Sequence, residues 1–184
     1  MTVELGVVIS KPGRNITPLN AAAHISGYCL AIDYTARNLQ DRVKAASLPW
    51  TAVKGFDTFC PVSDFVDKSK VLDHANLELW FSVNGVEKQR AGTELMINNI
   101  EELIAHCSSV MKLEEGDLIL TGSSFSFPQR LSGLNRGVRA GTPAGVGPIK
   151  AGDKITAGLV QDGVELAKIE HEVVDRVGGY EFKP

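Results

Sequence analysis

YCLAIDYTARNLQDRVKAASLPWTAVK, residues 28–54, opens on an apolar run (28–32) that predicts a buried strand. Asp33, Arg37 and Gln40 follow within a few residues, and Lys54 closes the stretch inside the otherwise uncharged LPWTAVKGF. An acid leaving a buried strand stands at a strand end, where sites are commonly built. A helix that begins near Thr35 or Ala36 puts Arg37 and Gln40 three apart and on one face. One carboxylate, two planar donors and one ammonium suit a hard metal ion holding an anionic oxygen substrate. A capped helix with a solvated polar face is the competing reading, and spacing alone favours it.

Upstream, residues 3–9 form a second β-rich run, interrupted by Glu4 and Gly6 and broken by Lys11-Pro12-Gly13. Thr17 reads as an N-cap and Pro18 as the first residue of a short helix that runs to about Ile25, with Ser26-Gly27 ending it. Beyond Asp33 a helix is expected from Ala36 to about Ala46, with Leu39 and Val43 facing the core; Pro49 excludes helix at its own position. Downstream, residues 77–83 (LELWFSV) alternate so that Leu77, Leu79 and Phe81 share a face, and Asn84-Gly85 turns the chain into VEKQRA. Residues 99–111 carry an apolar stripe of Ile100, Leu103, Ile104, Cys107 and Met111 at helical spacing, leaving Asn99, Glu102 and His106 on the wet face. Glu115-Gly116-Asp117 turns into a strand at 117–121, and residues 150–153 turn into another at 154–160. Gln161-Asp162-Gly163 signals a second hairpin, with its return strand at 164–174. Strands outnumber helices, hairpins are frequent and no βαβ rhythm appears. The predicted class is α+β, mainly β, with antiparallel or mixed sheets.

At 184 residues the chain is expected to form a single domain spanning 1–184. Hydrophobic content of 43% and charged content of 22% are ordinary globular values. A net charge of −3 and a pI near 5.8 argue against nucleic-acid and anionic-membrane partners. No stretch approaches the ~20 apolar residues of a membrane-spanning helix. The opening MTVELGVVI has no signal-peptide pattern and reads as a strand already under way, so a missing beginning is expected. Cys29, Cys60 and Cys107, widely spaced in apolar contexts, predict buried reduced thiols of a cytosolic or mitochondrial-matrix protein. His24, His74, His106 and His171 show no zinc spacing. Residues 123–141 carry Arg130, Arg136 and Arg139 without an acid and without periodicity, which marks a functional loop or a foreign insertion.

Six separated motifs resemble the fumarylacetoacetate hydrolase family: VELGVVI at 3–9, DYTARNLQ at 33–40, LPWTAVK at 48–54, CPVS at 60–63, LEEGDLILTG at 113–122 and TPAGVGP at 142–148. Their order and number point to its small acylpyruvase and oxaloacetate-acting branch. The resemblance implies a mixed β-roll or sandwich, a homodimer, Mg²⁺ or Mn²⁺, and a small dicarboxylate or acylpyruvate substrate. It implies hydrolysis, decarboxylation or keto–enol tautomerisation through an enolate that the ion stabilises. Carried onto this chain, Glu4 and Asp33 become metal ligands, while Thr2 stands where the family has a further glutamate. Lys54 becomes the catalytic cation, Arg37 and Gln40 hold the substrate carboxylate, and Thr142 contacts its other end. The family's lid, which bears a His-Glu dyad, would lie ahead of VELGVVI; no histidine here has that context, so no general base is assigned. In the family L-T-G runs straight into T-P, whereas here residues 123–141 separate Thr121-Gly122 from Thr142-Pro143, as a retained intron, an alternative exon or a gene-model error would. An isomerase or decarboxylase of aromatic-degradation diacids and an inert family subunit are the rival expectations. Kinship makes the compartment mitochondrial or cytoplasmic.

Overall fold

Alternation along the first strand sets the layout. β1 (Thr2–Ile9) turns Val3, Leu5, Val7 and Ile9 inward, each nearly inaccessible, and Thr2, Glu4, Gly6 and Val8 to the other face. β2 (Ile25–Asp33) pairs antiparallel with it, so that Thr2 lies opposite Asp33, Glu4 opposite Ala31 and Gly6 opposite Cys29. The computed structural model describes residues 1–122 and 147–178.

Two four-stranded antiparallel sheets make up the body. The first runs β3-β2-β1-β6, with β3 at Val66–Asp67 and β6 at Leu118–Leu120. The second runs β5-β4-β7-β8, from β4 (Glu78–Val83), β5 (Val86–Gly92), β7 (Lys154–Gln161) and β8 (Val164–Glu172). Both predicted hairpins are present, with Asn84 and Gly85, and Asp162 and Gly163, at positive φ. Leu5, Leu30 and Ile32 from one sheet and Leu79, Phe81, Ile155 and Leu159 from the other belong to one core cluster. The α+β, mainly β sandwich is therefore as expected.

Helices sit at the margins: α1 (Pro18–Ala21), α2 (Arg37–Ala45), α3 (Thr51–Lys54) and α4 (Ile100–Val110). α4 begins with a reciprocal capping box, in which Glu102 N–H donates to Asn99 Oδ1 at 2.8 Å and Asn99 N–H to Glu102 Oε2 at 3.1 Å. Its stripe buries Ile100 and Ile104 and half-buries Leu103 and Cys107, but Met111, one residue past the helix, is exposed.

Several expectations need correction. The helix after Pro18 lasts one turn, becomes a 3₁₀ turn at Ala22–His24, and yields to strand at Ile25. Ser26-Gly27 thus does not end a helix; both residues lie within β2. Gly27 is required there because a Cβ would overlap the carbonyl oxygen of Val66 on β3. Of the cysteines only Cys29 is buried; Cys60 is exposed and Cys107 half-buried. Thr142 and the 123–141 segment lie outside the described residues.

Candidate active site

The face of the first sheet that turns away from the core carries the polar side chains of β1 and β2. Thr2 and Glu4 are two apart on β1, and Asp33 stands opposite Thr2, so all three project from the same face. Glu4 is only 6% exposed, which excludes a solvated edge charge. Its carboxylate is held on both oxygens: Thr2 Oγ1 donates to Oε1 at 3.0 Å, and the Gly122 N–H donates to Oε2 at 3.0 Å. Gly122 presents that N–H from a backbone at φ +77°, a left-handed conformation that suits glycine.

The segment after β2 folds back over this face. Along the free edge of β2, Ile32 N–H donates to Pro61 O at 3.0 Å, Tyr34 N–H to Phe59 O at 2.9 Å and Ser63 N–H to Leu30 O at 2.9 Å. Ala36 N–H donates to Val53 O at 3.1 Å, which ties α2 to α3, and Val53 itself is fully buried. α3 follows directly on Leu48-Pro49-Trp50, so the proline that bars helix at its own position precedes a helical turn that delivers Lys54. Lys54 Nζ donates to Asp33 Oδ2 and, at 2.8 Å, to Thr35 Oγ1. On α2, Arg37 Nη1 donates to Gln40 Oε1 at 2.6 Å, confirming that the two share a face.

Burial, reinforced by the charge of Asp33, raises the pKa of Glu4 above its ordinary value; Thr2, Gly122 and Lys54 oppose the rise. Cys60 stands in the same field. Cys60 is exposed overall, but the partial burial of its thiol raises the pKa first, the carboxylates of Asp33 and Glu4 add to that, and Lys54 counters. Beside the cluster lies a cavity of about 1210 Å³, lined in part by Tyr34, Thr35, Arg37, Ser63 and His171. Glu4, Asp33 and Lys54 do not line it. Tyr34 Oη and His171 Nε2 meet there at 2.9 Å. Burial pushes the Tyr34 phenol up to about 12 and lowers the pKa of the His171 imidazole.

Glu4, Asp33 and Lys54 are thus brought together, and Arg37 and Gln40 stand on the adjoining helix. Sequence reasoning missed Thr35, Gly122 and the position of Cys60. The first is neighbour to Asp33 in the motif itself; the other two become partners only through tertiary contact.

Residues 1–174 match the family model for the fumarylacetoacetate (FAA) hydrolase C-terminal domain. The chain belongs to the fumarylacetoacetate hydrolase family. The mitochondrial oxaloacetate decarboxylase of Dictyostelium discoideum is 48% identical to it over 157 residues, covering 85% of this chain and 63% of that protein. The mitochondrial oxaloacetate tautomerase FAHD1 of Arabidopsis thaliana is 42% identical, covering 95% of this chain and 68% of that protein. Among solved structures, a yeast fumarylacetoacetate hydrolase family protein superposes with a TM-score of 0.81 at 36% identity, over 100% of this chain and 70% of that one. This member of the family therefore spans under two thirds of the length of its Dictyostelium relative.

Proposed function

We propose that this chain is the single-domain core of a divalent-metal-dependent enzyme acting on small 2-oxo or β-diketo acids, with oxaloacetate as the leading substrate. The observation that carries this reading is the meeting of a buried glutamate, an aspartate and a lysine on one sheet face. The two oxaloacetate-acting relatives support the substrate class.

The donor set fits a hard cation. Glu4 and Asp33 offer carboxylate oxygens and Thr2 offers a hydroxyl; burial first, and then the like charge of Asp33, raise the pKa of Glu4, and a cation would relieve that second cause. Among the described residues no third acid, histidine or cysteine joins them, so Glu4, Asp33 and Thr2 would hold the ion and water or substrate oxygens would have to supply the remaining contacts, as Mg²⁺ readily allows. When bound, Mg²⁺ or Mn²⁺ supplies positive charge at the 2-oxo and carboxylate oxygens and lowers the energy of the enolate. Lys54 Nζ adds a second positive charge beside Asp33, where the same oxygens would lie. Arg37 and Gln40 bind the distal carboxylate, the guanidinium by its fork, and so orient the bond that breaks or the proton that moves. The family resemblance assigns the substrate's other end to Thr142. The assembly is a homodimer, and the compartment is the mitochondrion, as for both relatives.

A second reading, an inert family subunit, is favoured by the hydroxyl at Thr2 and the two-acid cluster. Oxaloacetate turnover with added Mn²⁺ separates the two. The enzyme reading expects activity that EDTA abolishes and that Lys54→Ala sharply lowers. A folded protein that turns over neither oxaloacetate nor acetylpyruvate with Mn²⁺ would overturn it.

A further inference from the structure

One buried amide stands among charged neighbours on β5. Gln89 is 3% exposed, whereas Glu87, Lys88 and Arg90 on either side are exposed. It lies opposite Phe81, beside the register irregularity between Phe81 and Ser82, and so faces the space between the sheets. From there its side chain crosses to β1. The Val3 N–H donates to Gln89 Oε1 at 3.1 Å, and Gln89 Nε2 donates to the Met1 carbonyl oxygen at 3.4 Å.

Among the described residues, that edge of β1 is short of a strand: β6 pairs with Gly6, Val7 and Val8, and the Thr121 N–H reaches Leu5 O at 3.0 Å. Toward the front of β1, the Gln89 amide supplies one acceptor and one donor in the place of a neighbouring peptide group. The backbone it grips at Val3 lies between Thr2 and Glu4, whose side chains project to the site.

We propose that Gln89 is a positioning residue: its amide acts as a surrogate strand that fixes the Thr2–Glu4 backbone and thereby aims the Glu4 carboxylate at Asp33. The consequence for cation binding rests on the reading of Glu4 and Asp33 as ligands. The second sheet then takes part in building a site that lies on the far face of the first.

Two variants test this. Gln89→Met keeps length and bulk and removes both hydrogen bonds. Gln89→Glu keeps both only while protonated, because a carboxylate cannot donate to the Met1 carbonyl. Mn²⁺ affinity is measured by calorimetry against the parent at each pH, with amide exchange at Val3 followed by NMR. Gln89→Met is expected to bind Mn²⁺ about tenfold more weakly and to exchange the Val3 amide at least about tenfold faster, with β4 amides unchanged. Gln89→Glu should match the parent at low pH and fall behind it as pH rises, a trend that loss of packing alone does not produce. A folded Gln89→Met within about twofold of the parent on both readouts overturns the proposal; should that variant not fold, a pH-independent affinity ratio for Gln89→Glu overturns it. If the parent binds no Mn²⁺, the cation reading fails on its own, and the Val3 amide in the two variants decides the role of Gln89.

Discussion

Glu4 is the residue on which charge and burial conflict. Its pKa in the fold is raised above the ordinary 4.5, first by burial and then by Asp33. The folded state therefore holds the Glu4 proton more tightly than the unfolded chain does. Below the unfolded value both states are protonated and nothing is lost; as pH rises through the folded value, ionising Glu4 costs stability. Glu4→Gln should accordingly gain on the parent as pH is raised from about 4 to about 8 without divalent ions, read as a widening gap in Tm. A gap that is flat with pH would mean that the carboxylate is neither buried nor pressed by Asp33. Lys54 Nζ donates to Asp33 and to the Thr35 hydroxyl. Removing it as Lys54→Ala should lower kcat about 10²- to 10³-fold with a smaller change in KM, as loss of a group that acts on developing charge does. If Arg37 grips the ground-state carboxylate as proposed, Arg37→Ala should act mainly on KM. Steady-state kinetics on oxaloacetate with Mn²⁺ separates the two patterns.

Elements carry these residues with unequal firmness. β1 and β2 lie in the core, but α2 and α3 hang on few anchors: Val53 is fully buried, Val43 nearly so, and Leu39 only half-buried. Val53→Ala deletes buried hydrocarbon worth about 2 kcal/mol and loosens the turn that bears Lys54. It should lower both Tm and kcat. Asn99→Ala breaks the capping box of α4, which carries none of the candidate site residues, and should cost about 1 kcal/mol of stability, read as a lower Tm, while leaving Mn²⁺ binding intact. Much of this layout is legible in the sequence. Asn84-Gly85 and Asp162-Gly163 announce their hairpins, and the alternation of Leu77, Leu79 and Phe81 gives the buried face of β4. Arg37 and Gln40 share a face of α2, as their spacing implies, and Lys54 meets Asp33. What misled were local signals with tertiary meanings. Gly27 looks like a helix stop because glycine breaks helices, yet it is there for a close approach by Val66. Gln89 looks like one more polar residue in VEKQRA, and only the facing sheet gives it a partner. Cys60 sits in an apolar-looking run but is exposed, because residues 59–63 pair along the edge of β2.

The two sheets unfold as one body if their shared core means what it implies. Val3, Leu5 and Ile32 belong to the same cluster as Phe81, Ile155 and Leu159, and polar ties at Gln89–Val3 and Tyr34–His171 cross the same interface. A ligand confined to the first sheet should then protect the second as well, since it binds only the folded state. Mn²⁺ at about 100 times its dissociation constant should stabilise the parent by about 2.7 kcal/mol. Part of that gain is the relief of repulsion between Glu4 and Asp33, so Glu4→Gln should show little of it. The measurement is hydrogen exchange with and without Mn²⁺, comparing amides of β1 and β2 with those of β4 and β7. Equal protection in both sheets supports a cooperative sandwich with the ion on its outer face. Protection confined to β1 and β2 would mean that the layers open separately. No protection anywhere in the parent would remove the ion from the chemistry and leave the inert subunit as the better account of a hydroxyl at Thr2.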